Sequence, residues 1–153
     1  MTRPDGASSR LDPPPASTRS QHDLAVAVPY RLDLTVSVLR RLATNVVDVL
    51  TPNGRYVRAL SGAHGPVIVS AAQRDPGRLT ISIAGDPEDH AAALELVRCM
   101  LAVDGDVTPF DRAAATFPVL RPLARRLHGF KPPRYPRPSQ PLITVAARQP
   151  FTP

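Results

Sequence analysis

Prolines are concentrated at the two ends of this chain, and they confine any packed core to the segment between them. The 153 residues include 19 prolines, which cluster at Pro13 to Pro15 and again between Lys131 and Pro153. Polar, proline-rich sequence buries too little apolar surface to offset the entropy that is lost on ordering. The foldable part is therefore predicted to extend from about Asp23 to Phe130, a length that allows one small core.

Cysteine content and hydropathy argue against a disulfide-bonded secreted protein and against a membrane protein. Cys99 is the single cysteine, so no internal disulfide can form, as is typical of a reducing cytoplasm. Because Cys99 lies within a helical pattern, we expect a small buried side chain. No apolar run approaches the ~20 residues of a membrane span, and no apolar stretch closely follows Arg3 and Arg10 as in a signal peptide. The sequence thus predicts a cytoplasmic protein with no membrane contact.

The first half of the foldable part carries a strand signal and then a helix signal. The apolar run Leu24–Val28 predicts a strand, and Asp33 can cap the helix that follows. The inward face of this helix would carry Leu34, Val38, Leu39 and Leu42. The β-branched Val36 and Val38 leave a continuing strand as the alternative.

Two hairpins are predicted in the middle of the chain. Asn53-Gly54 separates the strand patterns Val46–Leu50 and Arg55–Leu60, and this dipeptide favours a hairpin because both residues tolerate positive φ. Pro76-Gly77 likewise separates the patterns Pro66–Gln73 and Arg78–Ala84. Apolar and polar residues alternate along these strands, which predicts a sheet with one buried face.

Helix signals dominate the chain after the second hairpin. Asp86 and Pro87 can begin a helix that Gly105 can end. Its apolar stripe would carry Leu94, Val97 and Leu101, widened by Ala93 and Met100. Shorter helices are predicted at Thr108–Ala115 and from Pro118 to Gly129, the second with Leu120, Leu123 and Leu127 inward. The predicted fold class is α+β: a small antiparallel β-sheet with helices on one face, followed by short linker helices.

Acidic residues and histidines do not form a catalytic or metal-binding pattern. His22, His64, His90 and His128 lack the spacing of metal ligands, so we interpret them as ordinary surface residues. The acidic groups Asp104 with Asp106, and Asp86 with Glu88 and Asp89, stand at predicted helix ends, where capping and the helix dipole account for them. We therefore predict no catalytic residue, no metal and no cofactor.

Basic residues near the end of the foldable part form the one candidate binding site. The chain has a net charge of +6, and arginine pairs bidentately with phosphate oxygens. The candidate set for contacts with DNA phosphates is Arg121, Arg125, Arg126, Lys131 and Arg134. The alternative is that these side chains are the solvated outer face of a helix that packs on a neighbour.

The segment from about Leu24 to Pro136 resembles the N-terminal domain and linker of the DNA-3-methyladenine glycosylase II family, most specifically from Val97 onward. The matching stretches are VRCMLAVD from Val97, DVTPF from Asp106, PVLRPL from Pro118 and LHGFKPPRYP from Leu127. The resemblance implies a domain like one half of the TATA-binding protein. It also implies base excision repair of alkylated double-stranded DNA by hydrolysis of the N-glycosidic bond, with the target base flipped out of the stack. The family's catalytic aspartate lies in a helix-hairpin-helix domain.

Residues Arg137 to Pro153 depart from that family, which continues with an amphipathic helix carrying a Gln-Gln pair. Here the sequence RPSQPLITVAARQPFTP contains four prolines and no acidic residue. We therefore expect a disordered leader (1–22), an N-terminal α+β domain (23–105), a helical linker toward a missing catalytic domain (106–136), and a disordered tail that is out of frame or truncated (137–153). The expected protein is a monomer that is inactive alone. The alternatives are a non-enzymatic basic DNA-binding module and a non-functional remnant.

Overall fold

A computed structural model describes residues 18–40 and 47–134. The elements in these ranges are β1 (Thr18–Ala25), α1 (Leu32–Leu39), β2 (Asp48–Leu50), β3 (Tyr56–Ser61), β4 (Pro66–Asp75), β5 (Arg78–Gly85), α2 (His90–Met100), α3 (Thr108–Thr116) and α4 (Arg121–Arg126). A 3-10 turn at Pro87–Asp89 precedes α2. The predictions for residues 1–17, for Leu42 and Val46, and for the tail from Tyr135 onward lie outside the described residues. None of the described helices is long and apolar enough to cross a membrane.

The strands form one antiparallel sheet in the order β1-β5-β4-β3-β2. Both predicted hairpins, β2–β3 and β4–β5, are present. Apolar side chains of the two central strands are buried on one face: Val67, Val69, Ala71, Leu79, Ile81 and Ile83. They share a core with Val36 of α1 and Val97 of α2. The predicted α+β class, with helices on one face of the sheet, is confirmed.

Strand β1 begins inside the segment that was predicted to be a disordered leader. It pairs with β5 along its whole length, from Thr18 opposite Gly85 to Ala25 opposite Arg78. The prediction is therefore wrong for residues 18–22. An edge strand is held by main-chain hydrogen bonds on one side and needs few apolar residues. Only Leu24 is fully buried in β1, which is why hydropathy did not reveal it.

Helix α1 buries a different face from the one that was predicted. Its buried residues are Leu32, Thr35, Val36 and Leu39, whereas Leu34 and Val38 are half-buried. Asp33 does not cap the helix, because its carboxylate pairs with the Arg31 guanidinium at 2.5 Å. The cap comes instead from β4, where the side-chain oxygen of Gln73 accepts a hydrogen bond from the Leu32 amide at 2.8 Å.

Helix α2 ends earlier than Gly105, the residue predicted to end it. The last helical residue is Met100, and Ala102 takes a left-handed conformation with φ of 49°. Tertiary bonds account for the early end, because the Leu101 carbonyl accepts from the Tyr30 hydroxyl and the Val103 carbonyl accepts from the Ala27 amide. Ala93, Val97 and Met100 are buried as predicted. Cys99 is exposed, so its predicted burial is wrong.

A buried ionic contact holds the β2 edge of the sheet. The Asp48 carboxylate accepts hydrogen bonds from the Tyr56 hydroxyl at 2.5 Å and from the Arg58 guanidinium at 2.7 Å. Burial, together with the hydrogen bond to the Asp48 carboxylate, raises the pKa of Tyr56. Buried charges are tolerated when they are paired in this way.

We predict that Asp48→Asn destabilises the protein by roughly 3 kcal/mol, because it leaves the largely buried Arg58 guanidinium without its counter-charge. Urea unfolding followed by circular dichroism measures the change. Asp23→Asn is the matched control, since Asp23 is exposed and its substitution should cost less than about 0.5 kcal/mol. Equal unfolding midpoints for the two variants would contradict the prediction.

Candidate nucleic-acid interface

Helices α3 and α4 form a helical hairpin after the α+β domain. The Asp106 carboxylate accepts a hydrogen bond from the Thr108 amide at 2.9 Å. Hydrogen bonding to the Thr108 side chain and to this amide lowers the pKa of Asp106. Proline occupies the first turn of both helices. The second helix begins at Arg121 rather than near Pro118, because Pro118 lies in the turn between the helices. His128 after α4 contacts Asp111 at the start of α3, with 3.1 Å between Nδ1 and Oδ2.

One side of this hairpin is an apolar groove. The groove has a volume of about 400 Å³ and is lined mainly by Val107, Phe110, Ala114, Leu120, Leu123, Leu127, Phe130 and Pro132. Leu120, Leu123 and Leu127 share this side, as predicted, but they are not buried. Phe110 is 67% exposed and Leu123 is 51% exposed. An exposed apolar surface that is continuous across two helices is typical of a surface that packs on another body.

The other side of the hairpin is a basic face. It borders an open depression of about 770 Å³ whose lining includes Arg112, Arg121, Arg125 and His128. The three arginines are exposed and form no ion pair with any residue in 18–40 or 47–134. Arg121 instead donates through Nε to the Ala115 carbonyl at 3.2 Å. Guanidinium groups without carboxylate partners are available to phosphate oxygens.

The structure brings together only part of the predicted basic set. Arg121 and Arg125 line the basic face, whereas Arg126 and Arg134 are exposed but lie outside its lining. Sequence reasoning missed Arg112. The antiparallel return of α4 along α3 brings Arg112 close to Arg121, and a short turn between two helices is the signal that could have indicated it.

Lys131 does not belong to the basic surface. It is 1% exposed, and its ammonium group donates hydrogen bonds to the carbonyl oxygens of Ala27 and, at 3.4 Å, of Val103. The ammonium nitrogen also lies 5.2 Å from the centre of the Tyr30 ring. Burial lowers the pKa of Lys131, and the charges of Asp106 and Asp104 oppose that effect. The prediction that Lys131 contacts DNA is therefore corrected: its charge is used inside the fold.

Main-chain contacts fasten the connector around Lys131 to the α+β domain. The Arg31 amide donates to the Gly129 carbonyl at 2.7 Å, and the Arg134 amide donates to the Met100 carbonyl at 3.0 Å. The Lys131 amide donates to the Thr35 hydroxyl at 3.2 Å. Gly129 has φ of 84°, and a Cβ there would lie 2.9 Å from the Arg31 side chain. The connector is thus packed on the domain from Gly129 to Arg134.

The acidic residues play structural roles, and not all of these roles are capping. Asp86 caps the turn before α2 as predicted, because its carboxylate accepts from the Glu88 amide. Asp89 instead accepts hydrogen bonds from the Ala63 and His64 amides, each at 2.9 Å, and so ties the β3–β4 loop to α2. These bonds lower the pKa of Asp89. Among the described residues, no group of three or more His, Cys, Asp or Glu side chains could hold a metal ion.

The fold is similar to part of a solved DNA-glycosylase structure. The similarity is to the 3-methyladenine DNA-glycosylase from Archaeoglobus fulgidus, with a TM-score of 0.56 and 20% sequence identity. It covers 71% of this chain and 37% of the glycosylase chain. No protein-family model matches the sequence, and no curated protein does. The resemblance seen in the sequence is confirmed for the fold of a partial domain, and the activity of the whole glycosylase is not thereby shown for this chain.

We predict that Lys131→Met lowers the free energy of unfolding by about 2 kcal/mol, because it removes the side-chain hydrogen bonds to the carbonyls of the half-buried Ala27 and the buried Val103 while keeping an apolar chain of similar length. Urea unfolding monitored by circular dichroism provides the measurement. Arg134→Met is the control in the same connector, and it should change the stability by less than about 0.5 kcal/mol because this side chain is exposed. If the two variants were equally stable, the ammonium contacts would have no structural importance.

Proposed function

We propose that this chain acts as part of a DNA-3-methyladenine glycosylase-like protein of base excision repair. In this proposal the N-terminal α+β domain and the helical linker support a unit that hydrolyses the N-glycosidic bond of alkylated bases. The observation that carries the proposal is the structural similarity to 37% of the archaeal glycosylase. The family resemblance of the stretch from Val97 to Pro136 supports it independently.

The apolar groove of the α3–α4 hairpin is proposed to receive that catalytic unit. Burying a side chain such as Leu123 or Phe110 contributes about 1.5–3 kcal/mol. Several such residues line the groove side by side, so a helical partner would gain substantial stabilisation there. The packed connector around Lys131 would hold the hairpin against the α+β domain while the partner docks.

The basic face is proposed to contact the phosphates of double-stranded DNA. Contacts from arginine to phosphate oxygens position a protein on a duplex and carry no sequence information. Such contacts fit an enzyme that must bind any sequence around a lesion. The same arginines also support the second candidate function, a non-enzymatic DNA-binding module, in which binding needs no catalytic partner.

We predict that the chain binds duplex DNA without sequence preference and that Arg121→Gln/Arg125→Gln weakens this binding. Each lost phosphate contact should reduce the slope of log K against log salt concentration by about 1, hence by about 2 for the double variant. Fluorescence anisotropy with a labelled duplex at several salt concentrations measures the slope.

The matched control for this experiment is Arg78→Gln/Arg98→Gln, which removes the same charge from two exposed arginines that are paired with Asp23 and Asp104. An equal loss of slope in the control would show that net charge alone drives binding. The basic face would then have no special part in it.

We predict that the purified 153-residue polypeptide releases no 3-methyladenine from methylated duplex DNA. These 153 residues contain no segment that resembles the family's helix-hairpin-helix. Chromatographic detection of the free base, with an intact glycosylase as positive control, makes the measurement. Base release would contradict the prediction, whereas DNA binding without release would agree with either candidate function. A remnant without function would neither bind DNA nor unfold cooperatively.

A further inference from the structure

The sheet face that the helices leave uncovered carries polar and basic residues along β1 and the adjoining parts of β4 and β5, and the exposed Ile68 lies farther along the same face. The strand register places Arg19, Gln21, Asp23, Arg78, Thr80, Ser82, Ser70 and Ala72 on this face. Solvent alone accounts for polar side chains on an open sheet face. It does not account for their arrangement around a hollow.

A hollow of about 90 Å³ lies above Ala72, the small residue at its centre. Its rim consists of Gln21 from β1, Thr80 and Ser82 from β5, Arg74 from β4, and Arg55 just before β3. The register explains why they meet, since Ala72 pairs with Thr80, and Gln21 pairs with Ser82. Four adjacent strands or strand ends therefore supply hydrogen-bonding groups to one small space.

The charges around the hollow are not balanced. Within residues 18–40 and 47–134, Arg55 and Arg74 form no ion pair, and the Arg55 guanidinium donates to the Ser70 hydroxyl at 3.3 Å. The acid Asp23 stands beside the rim, where its carboxylate accepts from the Thr80 hydroxyl at 3.0 Å, and it faces Arg78 at 3.9 Å. Two arginines thus line the hollow, and no acidic residue is among its lining residues.

We propose that this hollow binds a phosphate group, supplied either as a free phosphate or as a phosphodiester of nucleic acid. Arg55 and Arg74 provide the two positive charges and planar donors that match phosphate oxygens. The Ser82 hydroxyl and the Gln21 amide provide neutral donors on the opposite rim. The hollow has room for a group the size of a tetrahedral oxyanion, roughly the volume of three waters. It shares no residue with the basic face of α3 and α4, so it is independent of the proposed function.

Titration of the full 153-residue chain with inorganic phosphate tests the site. Backbone amide shifts in β1, β4 and β5, recorded by NMR at low salt, should saturate for the parent protein. Arg55→Gln or Arg74→Gln should weaken binding about tenfold, as expected for the loss of one charge-assisted hydrogen bond. Arg78→Gln is the control, because it lies on the same face, loses the same charge and does not line the hollow.

Ala72→Val tests the shape of the hollow without changing its charge. Valine is well tolerated in strands and would occupy the space where the phosphate is proposed to bind. We expect the variant to remain folded by circular dichroism and to weaken phosphate binding at least as much as either arginine variant. A folded Ala72→Val protein that binds phosphate with unchanged affinity would overturn the proposal.

A second arm distinguishes the two sources of phosphate. A short single-stranded oligonucleotide is titrated into the Arg121→Gln/Arg125→Gln background, which removes the basic face of the hairpin. Oligonucleotide binding that Arg55→Gln weakens, without binding of inorganic phosphate, would assign the site to nucleic acid. Binding of inorganic phosphate alone would assign it to a free phosphate. Binding of neither ligand, or equal losses for Arg78→Gln and Arg55→Gln, would refute the site.

Discussion

Burial of only one face of the sheet is the constraint on which the rest of this structure depends. Ile81 and Ile83 of β5 and Val67 and Val69 of β4 are almost fully buried under the helices. The burial of each such side chain contributes about 1.5–3 kcal/mol, and no other part of the described chain offers comparable apolar area. Because the helices cover one face, the other face is open to solvent and carries the polar side chains of β1 and β5. The hollow beside Ala72 lies on this uncovered side.

The buried ammonium group of Lys131 holds the connector after α4 on the α+β domain. An ammonium group inside a protein is unfavourable unless it is hydrogen-bonded, and Lys131 meets this condition with carbonyl oxygens from two loops of the domain. One of these loops follows β1 and the other follows α2. The Lys131 side chain therefore joins both loops to the connector after α4. The α3–α4 hairpin is consequently anchored at both ends rather than attached through a free linker. An anchored hairpin presents its groove in a defined direction.

Patterns that depend on local chemistry were predictable from the sequence. The alternation of Leu79, Ile81 and Ile83 identified β5, the turn residues identified both hairpins, and the apolar stripe around Val97 identified α2. The errors arose where a distant partner decided the outcome. Gln73 of β4 caps α1 in place of Asp33, and tertiary hydrogen bonds to Leu101 and Val103 end α2 before Gly105. In the candidate site, the basic character of the sequence indicated Arg121 and Arg125 correctly as exposed residues. It did not reveal that Lys131 is buried, because the sequence does not distinguish a lysine that is hydrogen-bonded to carbonyl oxygens from one in solvent.

The two sides of the hairpin share residues, so packing on one side would affect the arrangement of the other. Asp111 and Ala124 line both the apolar groove and the depression at the basic face. Asp111 also contacts His128, so a body that packs into the groove would press on the contact that closes the two helices together. Occupation of the groove would therefore restrict the spacing of Arg112 and Arg121 across the helices. A partner could in this way order the arginine side chains of the basic face without touching them, because binding that fixes side chains in advance lowers the entropic cost of the next contact.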